Sequence, residues 1–364
     1  MTIRVAIIGL GNCASSFVQG LQLYRDVSSD SAPTPGIMHN SFGGYLIRDI
    51  SIVCAFDINA NKVGKDVCDA IWQVPNTQRR ICSVPPTGVI VQPGMVLDGL
   101  APHLQNHFPT IEAANADVLT ALTTSRAEMC VSYLPVGSRQ ATDFYASSCL
   151  SVGIAFINGI PEPIASDLTW EHRFRQAKLP CAGDDIQSQI GATIVHRTLI
   201  DLIRQRGSLV TDSYQLDIGG NMDFCNMMDS SRALSKQASK TYPVAHDAVM
   251  DSVTIAPAQY IKHLEDSKIA YINVRGLQFA SLPFEIELKM RVEDSPNNAG
   301  VMIDVVRAMK LSLDRKLAGY QDWSAYYFKR PLVYRTLSDA RAIVDRFIGD
   351  FHGPSSESPT SIQD

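Results

Sequence analysis

A chain of 364 residues with 45% hydrophobic and 19% charged positions has a globular composition and the length for two hydrophobic cores. Its formal net charge of −5 comes without any run of Lys or Arg, so neither nucleic acid nor an anionic membrane surface is indicated as a partner. No apolar stretch reaches the about 18 residues that span a bilayer, and residues 1–20 lack the charged and apolar regions of a signal peptide, so a cytoplasmic protein is expected.

The first predicted element is a strand at 3–8, "IRVAII", running into Gly9-x-Gly11-x-x-Ala14 and then a helix. That order is the context a dinucleotide fingerprint requires. Gly9 permits the tight turn, Gly11 lets the backbone approach a pyrophosphate, and Ala14 is small enough for close helix–sheet packing. The pyrophosphate is expected over the loop Gly9, Gly11, Asn12, Cys13 and Ala14, at the positive end of the helix. Residues 27–49, rich in Ser, Pro and Gly, read as a long loop of the kind that is functional or mobile. The second strand, "ISIVCAF" at 50–56, ends at Asp57, where a carboxylate can accept hydrogen bonds from an adenosine ribose. An acid there disfavours a 2′-phosphate and makes NAD the expected cofactor; the competing role is a cap on the following helix.

Further strand-like runs at 129–135, 154–159 and 179–185, with helical stretches between several of them, predict a doubly wound parallel sheet. A long helix is predicted over 187–206. Beyond it the pattern changes to alternating strands, "SYQLDIGGNMDF", "AYINVRGLQF" and "PFEIELKMRV", with a short helical candidate at "SSRALSKQASK". At Ser295-Pro296 a helix resumes, with Ser as N-cap and Pro at the first helical position. The fold class expected is therefore α/β, a Rossmann domain with an inserted α+β domain, followed by a polar, disordered tail over 351–364.

Eight cysteines are scattered without a CxxC pair and read as reduced, buried thiols. His103 and His107 have the i,i+4 spacing of a metal pair, but no third ligand stands near them in the sequence and no metal is assigned.

The inserted region carries most of the chemistry: Asn221 and Asp223 in "GGNMDF", Lys236 and Lys240 in "SKQASK", Lys268 in "EDSKIAY" and Asp294 in "VEDSPNNAG", with Lys329 following in "YYFKRP". Lys236 and Lys240 share a helix face, where like charges repel unless an anion covers them. Solvation of that face is the commoner outcome. Lys268 and Lys329 stand beside apolar runs, which predicts lowered pKa values and proton transfer near neutral pH. Such a set suits a phosphorylated, hydroxylated substrate without naming a reaction.

Taken together, "VAIIGLGNCASS", "VSYLPVGS", "GDDIQSQIGAT", "GGNMDFCNM", "SKQASK" and "EDSPNNAGVMIDVVRA" resemble the inositol-1-phosphate synthases of the shorter actinobacterial type, over about residues 3–350. The resemblance implies a Rossmann NAD-binding domain from 1–207 and 306–350, a catalytic and tetramerisation domain over 208–305, and a homotetramer. It implies redox-neutral conversion of D-glucose 6-phosphate to 1L-myo-inositol 1-phosphate: oxidation at C5, enolisation, aldol closure and return of the hydride to C5. It places Lys240, Lys268 and Ser188 nearest the phosphate and Lys236 and Lys329 near the reacting oxygens. Asp185, Asn221, Asp223 and Asp294 then orient hydroxyls or the lysines. Family members differ in using ammonium or a divalent cation. Gln187 stands where the family usually has Lys, which leaves open a related cyclase making another cyclitol phosphate. An ordinary NAD-dependent sugar-phosphate dehydrogenase would share the glycine loop without needing the lysines, and a silent NAD-binding protein would be expected to have lost some of them.

Overall fold

Short strands buried on both faces, separated by helices, build the parallel sheet that the first half of the sequence predicts. The computed structural model describes residues 2–248, 253–256 and 258–349; the expected tail at 351–364 lies outside them. In chain order the elements are β1 (Ile3–Ile8), α1 (Asn12–Leu23), β2 (Ile50–Asp57), α2 (Val67–Ala70), β3 (Gln92–Pro93), α3 (Asn115–Ser125), β4 (Met129–Ser132), α4 (Arg139–Val152), β5 (Ala155–Asn158), α5 (Leu168–Gln176), β6 (Pro180–Ala182) and α6 (Ala192–Gln205). A second group follows: β7 (Leu209–Gly219), α7 (Met222–Asn226), α8 (Ser230–Ala248), β8 (Val253–Ile255), β9 (Gln259–Tyr260), β10 (Ser267–Leu277) and β11 (Pro283–Glu293). The chain returns to the first group with α9 (Asp294–Asp314), β12 (Gly319–Tyr320), α10 (Ser324–Tyr327) and α11 (Leu337–Gly349).

The first sheet has the order β12-β6-β5-β4-β1-β2-β3, and every neighbouring pair is parallel. Its chain order reverses at β1, between β4 and β2, so the crevice at the C-terminal end of β1 is the switch point where such sheets bind ligands. The second sheet has the order β11-β10-β7-β8, with β9 also on β7. Its β7, β10 and β11 pair antiparallel, and β11 alternates exposed and half-buried positions, as its sequence predicts. A small core of Ile200, Ile203, Val210, Val244, Ile272 and Val274 joins this sheet to α6 and α8.

Every residue of α9 from Asn298 to Met309 is buried, because the helix packs on α1 and under the first sheet. Its Arg307 is fully buried and donates to the carbonyls of His39, at 2.7 Å, and Asn40, at 3.2 Å. The 27–49 loop is thereby fastened to the core, with Phe42 and Ile47 buried beneath it. The expected boundary at 305/306 falls inside this one continuous helix.

Three boundaries differ from expectation. α9 begins at Asp294 with Glu293 as N-cap, not at Ser295-Pro296, because the Ser295 hydroxyl is drawn to Asp266 at 2.7 Å. α6 begins at Ala192, because Gln187 N is already bonded to Tyr327 O at 2.8 Å in the preceding turn. α8 runs to Ala248 through Pro243, which removes a backbone donor from the helix without ending it. All eight cysteines are free thiols, six of them buried. No helix among the described residues is long and apolar enough to cross a membrane.

Candidate active site

The two glycines of the loop serve different ends, Gly9 a close backbone approach and Gly11 open space. Gly9 has φ +87°, and a Cβ there would lie 2.8 Å from the Tyr133 carbonyl oxygen. Above Gly11, the N-cap of α1, a Cβ would meet nothing within 4 Å, leaving space over the helix N-terminus. Ala14 is fully buried where α1 meets the sheet. Asp57 ends β2 as expected and accepts from Leu10 N and Asn59 N, each at 2.8 Å. Lys62 lies 3.6 Å from the same carboxylate and donates to Leu10 O at 2.7 Å. The loop, the acid and a buried lysine thus hold one another in place.

From this loop a single cavity of about 280 Å³ extends to the second sheet, and Lys236, Lys240, Lys268 and Lys329 all line it. The lysines come from three places: α8 carries Lys236 and Lys240, one turn apart on one face, β10 carries Lys268, and the segment after α10 carries Lys329. Ser188, Asp185, Asn221, Asp223 and Asp294 complete the lining among the predicted residues.

Each ammonium meets a carboxylate. Lys236 and Lys329 both donate to Asp185 Oδ1 at 2.9 Å, and Ser239 donates to its other oxygen. Asp185 sits at φ +59°, a left-handed backbone that a non-glycine residue adopts only when its surroundings enforce it. Burial alone would raise its pKa, but the two lysines and Ser239 hold it well below the usual carboxylate range. Lys240 donates to Asp217 at 2.7 Å, and Lys268 to Asp294 at 3.4 Å.

The lysines do not titrate alike. Burial, with Lys236 and Lys268 nearby, lowers Lys329 to about 8 despite its bond to Asp185. Burial pushes Lys236 the same way, but Asp185 and Asp223 outweigh it and raise the group. The expected lowering of Lys268 is corrected. Burial acts in that direction, but Asp294 and Asp217 overcome it and hold the ammonium above its ordinary value.

Two carboxylates that sequence reasoning missed organise the site. Asp266 accepts from Asn12 at 2.9 Å, from Asn221 at 3.2 Å and from the Ser295 hydroxyl at 2.7 Å. It therefore joins the glycine loop, α7 and the first turn of α9. Burial and the nearby Asp294 raise it to about 6, and none of these donors is charged. Asp217 is the partner of Lys240. It lies on β7 with Ser213 and Gln215 at alternate positions, a polar strand face that reads in sequence as solvent-facing and is buried here. The one available signal for Asp266 is its place two residues before Lys268, just ahead of β10.

The remaining predicted residues fall as follows. Cys13 lines the cavity, and burial with Asp294, Asp266 and Asp223 raises its thiol far above the reactive range. Gln187 is buried, its side chain is absent from the cavity lining, and its Oε1 has no hydrogen-bond partner. His103 is bonded to the Cys225 carbonyl at 2.7 Å. Among the described residues, no group of three or more His, Cys, Asp or Glu is arranged to hold a metal ion.

Comparison with known proteins adds three findings. The pattern that defines the Myo-inositol-1-phosphate synthase family matches residues 191–295. The chain is 44% identical, over 95% of its own length and 98% of the relative's, to an inositol-3-phosphate synthase of Mycolicibacterium smegmatis. It is equally similar, with the same coverage, to that of Corynebacterium glutamicum. Among solved structures it superposes on Ari2 with a TM-score of 0.79 and 31% identity, covering 97% of this chain and 100% of that one.

Proposed function

The chain belongs to the myo-inositol-1-phosphate synthase family, and we propose from that premise that it is an NAD-dependent, redox-neutral cyclase of D-glucose 6-phosphate, forming 1L-myo-inositol 1-phosphate. The observation that carries this reading is the convergence of Lys236, Lys240, Lys268 and Lys329 on one cavity continuous with the glycine loop. A dehydrogenase that releases its product needs the loop and a base. Four ammonium groups suit a reaction that must bind a phosphoryl group and stabilise developing oxyanions in the same enclosure.

The cofactor is proposed to lie over Gly9, Gly11, Asn12, Cys13 and Ala14, with its ribose on Asp57. The open space above Gly11 and the unshared lone pairs of Asp57 fit an adenosine dinucleotide. NAD, held there, would supply reversible hydride transfer at C5. The protein's part is acid–base and electrostatic. A C6 proton becomes removable only beside the C5 ketone, and Lys329, the lysine lowered to about 8, is the group suited to take it. Lys236, held charged by Asp185, stabilises the enolate oxygen. Lys240, Lys268 and Ser188 hold the phosphate, while Asn221, Asp223 and Asp294 orient substrate hydroxyls and the ammonium groups. Enclosure keeps the intermediate from water.

A cation, ammonium or divalent, is part of the same reading, although no group of three or more His, Cys, Asp or Glu among the described residues is arranged to hold a metal. Division into a Rossmann unit (1–207 and 306–350) and a catalytic, tetramer-forming unit (208–305) follows the two sheets, with α9 shared between them. A cytoplasmic homotetramer is part of the same reading. Exposed apolar residues in the second group, such as Leu234, Phe279 and Leu282, support it.

The test is incubation of the protein with glucose 6-phosphate and NAD, followed by phosphorus NMR and the NADH absorbance band. Inositol phosphate without stoichiometric NADH is expected. NADH rising with substrate consumed would overturn the cyclase reading in favour of an ordinary dehydrogenase.

A further inference from the structure

We propose that Asp217 determines specificity by position: it sets the charge that Lys240 presents to the phosphoryl end of the substrate and weights the site against dianionic ligands. The inference rests on the reading that Lys240 faces the phosphate.

Asp217 is buried behind Lys240, and only the lysine lines the cavity. Their 2.7 Å contact joins two groups that are 1% and 5% exposed. At that spacing an ammonium and a carboxylate form a dipole, whose field at a ligand falls off faster than that of a lone charge. The pairing is itself held from behind. Gln215 donates to Asp217 Oδ2 at 2.9 Å, so its amide oxygen turns to His196 Nδ1, at 3.3 Å. Burial keeps His196 neutral, near 4. Its Nδ1 faces the Gln215 amide oxygen and its Nε2 the Ser213 hydroxyl, which itself donates to Asn273 O at 2.9 Å. Gln215 and Lys240 thus donate to the same oxygen of Asp217 and hold the carboxylate in place.

The other lysines offer no surplus to compensate. Asp185 serves Lys236 and Lys329, Asp294 serves Lys268, and Asp223 lines the same cavity. Asp185, Asp217, Asp223 and Asp294 thus stand against the four ammonium groups, with Asp266 behind Asn221 as a further acid. Gln187 adds no charge and stands outside the lining. A phosphate dianion therefore enters a site without surplus positive charge from the lysines, and Asp217 opposes it from behind Lys240 without lining the cavity.

The experiment compares the full-length protein with Asp217→Asn, Lys240→Met and the double variant. Two quantities are read: KM against kcat for glucose 6-phosphate, and calorimetric affinity for inorganic phosphate. Asp217→Asn keeps the shape and is expected to tighten both KM and phosphate binding about tenfold, with the effect in KM rather than kcat. Lys240→Met leaves Asp217 uncompensated and is expected to weaken both about tenfold or more. The double variant, with neither charge, is expected to bind phosphate more tightly than Lys240→Met and less tightly than the parent. It also decides the matter should Asp217→Asn alone fail to fold, since it leaves no buried charge unpaired. Equal weakness in the double variant and in Lys240→Met would overturn the role of Asp217 while leaving Lys240 at the phosphate. No effect of Lys240→Met on phosphate binding would overturn that placement of Lys240 and this inference together.

Discussion

Lys236 and Lys329 donate to the same oxygen of Asp185, each at 2.9 Å. One buried carboxylate thus holds a lysine of α8 and a lysine from the segment after α10 over the cavity, and its removal should affect both. Asp185→Asn is expected to reduce turnover by about two orders of magnitude or more and to lower Tm, because it leaves ammonium groups buried without a counter-ion. Steady-state kinetics and thermal melts on the same preparation check this. A variant with parental kcat would show that the shared oxygen has no part in catalysis.

Lys329 titrates near 8, and its role as base requires the neutral form. Below that pH the group is protonated, so kcat should rise with pH from 6 towards 8 and level off above it. Stability has the corresponding sign. The folded value lies below the ordinary lysine value of 10.5, so the charged form costs stability at pH below 8. That cost is relieved between pH 8 and 10.5. A pH–rate profile with no ascending limb between 6 and 8 would assign the base elsewhere.

Asp57 accepts two backbone bonds and lies beside Lys62, so its loss should be felt at the cofactor and little at the sugar. Asp57→Ala is expected to weaken NAD binding roughly 10- to 100-fold, the range of a charged hydrogen-bond acceptor. NADH fluorescence titration reads it directly.

Lys268 lies 3.4 Å from Asp294 and 6.0 Å from the Phe224 ring centroid, on the substrate side of the cavity. Lys268→Ala should abolish turnover and leave NAD affinity within about twofold, since the variant removes no group from the glycine loop. Parallel loss of both would indicate damage to the fold.

The parts legible in the sequence are those whose meaning is local. Gly9, Gly11 and Ala14 sit at contiguous spacing between a strand and a helix, and Asp57 ends the next strand, so no distant residue is needed to interpret them. Lys236 and Lys240 were readable as a pair from helical spacing alone. Asp217 and Asp266 were not, because a polar strand face has the same pattern whether it meets water or a buried ion. The rise in the Lys268 pKa was hidden for a related reason: its counter-ions come from the first residue of α9 and from β7, both remote in sequence. The early start of α9 at Asp294 depends on Asp266 capturing Ser295, a contact across 29 positions.

Asn12, in the turn proposed to cradle the dinucleotide, is tied through Asp266 to the strand that carries Lys268 two residues later. Loosening the cradle to let the dinucleotide out would therefore also disturb the grip on the sugar. In an enzyme whose electron acceptor must become the donor a moment later, dissociation between those two events wastes the turnover. A shared fastening favours long residence over rapid exchange, and the proposed cofactor would then act as a resident tool and not as a co-substrate.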